Sequence, residues 1–103
     1  MKTIQSINAY SGEVLGEYEL LTDEQLTQKI ELAHTIFQSW KETSFAERKA
    51  LFYRLAELTQ ERIEEHARLQ SLEMGMLIGP SRKGLEGTAR LIKWFADNAE
   101  TYL

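Results

Sequence analysis

The glycines between Gly75 and Gly87 are the first residues whose spacing could support chemistry. Gly79 and Gly84 have the five-residue offset of a phosphate-binding P-loop. Leu85 and Glu86 occupy the next two positions, where that loop needs a lysine and a serine or threonine. The positive charge and the metal-binding hydroxyl are both missing, and no Gly-x-Gly-x-x-Gly occurs. The pattern therefore indicates that these glycines mark helix boundaries and do not form a phosphate site.

His34 and His66 are the only histidines in the chain. His66 has Glu65 beside it and Glu73 seven residues later, a spacing at which one metal ion would still need a third ligand from elsewhere. We interpret His66 as a surface residue of a charged helix. We expect His34 to lie partly exposed beside an apolar stripe.

A group of carboxylates could imitate a catalytic acid–base pair: Glu61, Glu64 and Glu65. Such a pair works in a cleft that perturbs its pKa values. Arginines interleave with these glutamates, which is typical of a solvated helix face. The chain also contains 0 cysteines, which excludes disulfides, thiolate metal sites and a cysteine nucleophile among these residues. The sequence thus assigns no catalytic, cofactor-binding or metal-binding residue.

The composition indicates one small globular domain. The 103 residues are 43% hydrophobic and 27% charged, and a domain of that length has a radius of gyration of roughly 13 Å. The formal net charge of −4 argues against nucleic acid and anionic membranes as partners. No apolar run approaches the length of a membrane helix, and the first ten residues lack the apolar core of a signal peptide. We therefore expect a cytoplasmic protein.

Two short runs flank Ser11-Gly12-Glu13 and predict a β-hairpin over residues 3–20. Gly12 supplies the positive φ of a tight reversal. The second run alternates. The pattern places Val14, Tyr18 and Leu20 on one side and Glu17 and Glu19 on the other.

Capping boxes and apolar periodicity predict helices over the rest of the chain. Thr22 with Gln25 opens the first helix, and Ser44 with Glu47 opens the second. The stripe shifts at Thr59–Glu61, which predicts a break there, and Gly75 is a C-cap candidate. Pro80 suits the first position of the last helix. The predicted fold is mainly α with an N-terminal β-hairpin, a single α+β segment over 1–103 with helices at about 23–40, 45–60, 61–74 and 80–102.

Large aromatic residues fall near the ends of the predicted helices: Trp40, Trp94 and Phe95. They either pack inside the chain or, if they are exposed together, mark an interface. The sequence leaves both alternatives open.

The order of the hairpin and the helices, with their sequence motifs, resembles the N-terminal segment of NAD(P)-dependent aldehyde dehydrogenases. Within that family, it is most similar to the succinate-semialdehyde dehydrogenase branch. The resemblance covers nearly the whole chain, from about Ile4 to Leu103. Its matching features are the following: Asn8, Ser11-Gly12-Glu13, Gly16, Phe37, Trp40, Ala46-Glu47-Arg48, Leu55, Leu58 and Leu72-Glu73-Met74-Gly75. The resemblance implies the opening part of a Rossmann-type cofactor domain. The family's cysteine nucleophile, general-base glutamate, cofactor lysine and glycine motif lie beyond this segment, so no catalytic residue carries over.

The sequence departs from the family pattern after Gly75. The family usually continues with lysine and proline, whereas Met76 and Leu77 follow here, and Gly84 and Gly87 fall where helix formers are expected. These differences concern the start of the last helix. They do not affect the resemblance of the preceding residues.

Two hypotheses of different classes follow from the sequence. In the first, the chain is a segment of an aldehyde dehydrogenase that is inactive alone and binds no cofactor itself, while the full-length family uses NAD or NADP. In the second, it is a free-standing helical module that acts by assembly. The expected partner is accordingly a second copy or the remainder of the enzyme. The substrate and the choice between NAD and NADP depend on residues outside this chain.

Overall fold

A computed structural model describes all 103 residues as a β-hairpin followed by four helices. The elements in chain order are strands β1 (Thr3–Ile7) and β2 (Val14–Glu19) and helices α1 (Asp23–Trp40), α2 (Phe45–Glu61), α3 (Ile63–Met74) and α4 (Ile78–Tyr102). The predicted fold class, mainly α with an N-terminal hairpin, is confirmed. None of the helices is both long enough and apolar enough to cross a bilayer.

The two strands pair antiparallel around the predicted turn. Gly12 has φ 77°, as a tight reversal requires, and the Asn8 side chain accepts hydrogen bonds from the backbone N–H groups of Tyr10 and Ser11. The prediction that Val14 and Tyr18 lie on the same face of β2 is wrong. Gly16 faces Ser6 and Val14 faces Ile7, which leaves Leu15 as an extra residue. This β-bulge moves Val14 to the face opposite Tyr18.

Both predicted capping boxes are present. The Thr22 hydroxyl accepts from the Gln25 N–H at 3.1 Å, and the Ser44 hydroxyl accepts from the Glu47 N–H at 3.1 Å. The reciprocal bonds from the N-cap N–H groups measure 2.9 Å and 2.7 Å. Each box satisfies donors that a helix start otherwise leaves unpaired, which fixes where α1 and α2 begin.

The structure shifts two predicted helix boundaries. The break between α2 and α3 falls at Arg62 (φ −108°, ψ 18°), so Glu61 still belongs to α2. Helix α4 begins at Ile78, and Pro80 is its third residue instead of its first. Pro80 is tolerated there because the first four N–H groups of a helix have no partner inside it. Gly75 closes α3 with φ 70°, which confirms the predicted C-cap.

Helix α4 is the centre of the packing, since both α2 and α3 lie against it. The only residues with 0% exposure are small: Ala56 on α2, Ala67 on α3, and Ser81 and Ala89 on α4. Small side chains let helix backbones approach closely, but they remove little apolar area from water. The interior of this chain therefore supplies little of the burial that a domain of its length requires.

The chain is more extended than its length predicts. The Cα radius of gyration is 17.9 Å, and the principal extents are 47 × 40 × 20 Å. The expected value of roughly 13 Å was wrong because it assumes a compact domain. Helix α1 buries none of its residues, so it projects from the rest of the molecule.

Candidate functional site

A concave surface lies between the N-terminal half of α2 and the C-terminal half of α4. We call it the α2/α4 groove and define it by Phe45, Arg48, Phe52, Trp94, Phe95 and Tyr102, which line a cavity of about 530 Å³. Trp94 contacts Phe95 edge-on at 5.2 Å between ring centroids and stacks on Tyr102 at 6.2 Å. A cavity of this size lies within the range of ligand pockets, and its walls are mostly hydrophobic.

The aromatic side chains of the groove are exposed. Trp94 is 50% and Phe95 is 59% accessible, while Trp40 at the end of α1 is 39% accessible. The sequence left core packing and an interface open for these residues. The structure places Trp94 and Phe95 together on one surface, which favours the interface.

A polar cluster joins α2 to α4 beside the groove. The Tyr53 hydroxyl donates to Asp97 Oδ1 at 2.7 Å, and Lys49 Nζ lies 2.9 Å from the same oxygen. Lys49 and Lys93 also lie 5.6 Å and 5.7 Å from the centre of the Tyr53 ring. Sequence reasoning missed this cluster because Tyr53 and Asp97 are 44 residues apart and belong to no motif.

The hydrogen bonds of this cluster shift the pKa values of its three groups. The hydrogen bond from Tyr53, followed by that from Lys49, lowers the pKa of Asp97. The same bond to Asp97 raises the pKa of Tyr53, and Asp97 raises the pKa of Lys49. The bonds that Asp97 accepts from Tyr53 and Lys49 cross-link α2 and α4.

Arg48 fixes the corner between α1 and α2 at the rim of the groove. Its Nη2 donates to the Trp40 carbonyl at 2.8 Å and its Nε donates to Thr43 Oγ1 at 2.7 Å. The guanidinium also lies 5.2 Å from the centre of the Trp40 ring. All three partners are uncharged, so the positive charge of Arg48 has no carboxylate partner.

The structure does not bring together the glycines of the possible phosphate loop or the glutamates of the possible acid–base pair. Gly79 and Gly84 both lie inside α4, so they form no phosphate-binding loop. Glu61 pairs with Arg54 on its own helix at 3.2 Å. Glu64 instead accepts two bonds from Arg82 of α4, at 2.6 Å and 2.9 Å.

The Arg82 bonds lower the pKa of Glu64, which keeps this carboxylate ionised and unsuited to donate a proton. The two glutamates therefore have different partners and do not form an acid–base pair.

The two histidines have no metal-site surroundings. No group of three or more histidine, aspartate or glutamate side chains converges on one point. The contact of His34 is with Gln38 on the same helix, at 3.5 Å between ring and amide nitrogens. Glu73, the second candidate partner of His66, instead accepts a hydrogen bond from Ser6 of the hairpin.

Buried polar contacts occur where α3 meets α4. The Ser81 hydroxyl donates to the Gln70 side chain and lies 3.3 Å from the Ala67 carbonyl. The hairpin joins α3 through the Ala9 N–H, which donates to the Leu72 carbonyl at 2.8 Å. These contacts hold the elements together and offer no group for catalysis.

Comparison with known proteins identifies the chain's relatives. The family model described as the aldehyde dehydrogenase family matches residues 1–103. A succinate-semialdehyde dehydrogenase [NADP(+)] of Deinococcus radiodurans is 29% identical over 98 residues, which cover 95% of this chain. The crystal structure of the succinic semialdehyde dehydrogenase of Streptococcus pyogenes with NADP+ matches 96% of the chain with a TM-score of 0.89 at 27% identity. A NAD-dependent benzaldehyde dehydrogenase of Corynebacterium glutamicum matches 92% with a TM-score of 0.86 at 26% identity.

The chain spans only about a fifth of the length of these relatives. It covers 20% of the Deinococcus protein, 22% of the Streptococcus chain and 21% of the Corynebacterium chain. The backbone similarity extends over the hairpin and the helices, including the projecting α1. The resemblance drawn from the sequence is confirmed: the chain belongs to the aldehyde dehydrogenase family and corresponds to an N-terminal segment of it.

Proposed function

We propose that residues 1–103 are a scaffold segment of an aldehyde dehydrogenase that oxidises an aldehyde to a carboxylic acid with NAD(P). Succinate semialdehyde with NADP is the first substrate pair to test, because the names of the Deinococcus and Streptococcus relatives state that activity or cofactor. The name of the Corynebacterium relative states benzaldehyde and NAD, so the segment itself does not determine the choice. We place the enzyme in the cytoplasm.

The observation that carries this proposal is the uncovered apolar surface. The chain exposes 8426 Å², whereas a compact monomer of 11.9 kDa exposes about 5,900 Å². The excess of about 2,500 Å² includes the α2/α4 groove and the apolar side of α1, which is formed by Leu26, Ile30, Ala33 and Phe37. A segment that packs against a larger body has this property, because its apolar surfaces face that body.

The segment contributes no reacting group to the proposed chemistry. Oxidation of an aldehyde through a covalent thiohemiacetal requires a cysteine, and these residues contain 0 cysteines. The nucleophile and the cofactor site therefore belong to the part of the enzyme that follows the segment in the family. The role of this segment is to support that part, and residues 1–103 alone are catalytically inactive.

The proposal is tested by complementation. Residues 1–103 are co-expressed with the Deinococcus enzyme from which the matching segment has been deleted, and reduction of NADP by succinate semialdehyde is followed by absorbance. We expect no turnover from either piece alone and measurable turnover from the pair. Turnover by residues 1–103 alone, or a pair as inactive as its parts, would contradict the proposal.

Matched variants on α1 locate the supporting surface. Ile30 is 62% exposed on the apolar side of α1, and Thr35 lies on the opposite side of the same helix. Ile30→Glu should abolish complementation, because it places a charge where the proposed enzyme body packs. Thr35→Glu should leave complementation unchanged.

A second candidate function is a free-standing helical module that acts by assembly. The same excess area supports it, because a second chain could cover the surface as well. The two candidates differ in one result: the module requires no dehydrogenase remainder and gives no complementation.

A further inference from the structure

We draw no further inference here: the strongest candidate, the cleft of about 320 Å³ between the β-hairpin and the last turn of α3, offers one carboxylate, that of Glu73, which already accepts a hydrogen bond from Ser6, and nothing in the structure shows which ligand or partner would occupy it.

Discussion

Two glycine-to-alanine substitutions should change stability in opposite directions. Gly75 adopts the left-handed backbone conformation, with φ 70°, at the end of α3. This conformation costs a residue with a Cβ atom roughly 1–2 kcal/mol of folding free energy. A Cβ added there would lie 3.8 Å from the Ala9 Cβ, which is ordinary contact, so the conformational cost decides the result. Gly84 lies inside α4 with open space around its position, so alanine should stabilise the helix by about 0.5–1 kcal/mol.

The two variants should therefore differ by about 2 kcal/mol, or roughly 8–16 °C in melting temperature for a domain of this size. Thermal and urea unfolding followed by circular dichroism give both values. All samples are compared at one protein concentration, because association makes the melting temperature depend on concentration. A Gly75→Ala chain as stable as the wild type would refute the left-handed cap. A destabilised Gly84→Ala chain would show that the space beside α4 is occupied in solution.

Three further predictions concern packing, capping and acid. Ala89 has 0% exposure, so Ala89→Leu should overpack α4 and cost about 1–3 kcal/mol of unfolding free energy, measured by urea titration; an unchanged midpoint would contradict this packing. Ser44→Ala should cost about 1 kcal/mol in the same titration, whereas Ser44→Gly should cost only a few tenths; equal losses would refute the side-chain cap. Stability should fall as the pH drops below about 4.5, because bonds from Ser44 and from Tyr53 lower the folded-state pKa values of Glu47 and Asp97 below their ordinary 4.5 and 3.8. A carboxylate whose pKa is lowered in the folded state stabilises the fold when the pH is above its ordinary pKa. This contribution is lost as the pH falls and the carboxylate is protonated. A melting temperature that does not change between pH 6 and pH 3 would contradict this assignment.

Local signals in the sequence predicted the starts and stops of most elements. The capping boxes at Thr22 and Ser44 and the positive φ values at Gly12 and Gly75 depend on neighbouring residues only, so the sequence reveals them directly. The break at Arg62 has no such marker, since neither glycine nor proline occurs there. The bulge at Leu15 depends on which residues the two strands pair, and alternation within one strand cannot show that.

The contacts between α2 and α4 could not be predicted from the sequence. Tyr53 meets Asp97, and Phe45 lies across the groove from Trp94, only because α2 crosses α4. Apolar periodicity within α1 predicts a helix, but it does not show which surface covers that helix. The radius of gyration depends on how the helices pack, and its predicted value was wrong because it assumed a compact domain.

The corner at Arg48 has a consequence for the direction in which α1 points. Eighteen residues of α-helix form a rod about 27 Å long, and the bonds of one guanidinium to Trp40 and Thr43 set the rod's angle at its base. The direction of the rod is thus set at its base, because none of its own residues is buried along its length. Loss of the Arg48 side chain would leave every apolar side chain of the rod in place and yet allow its far tip to swing.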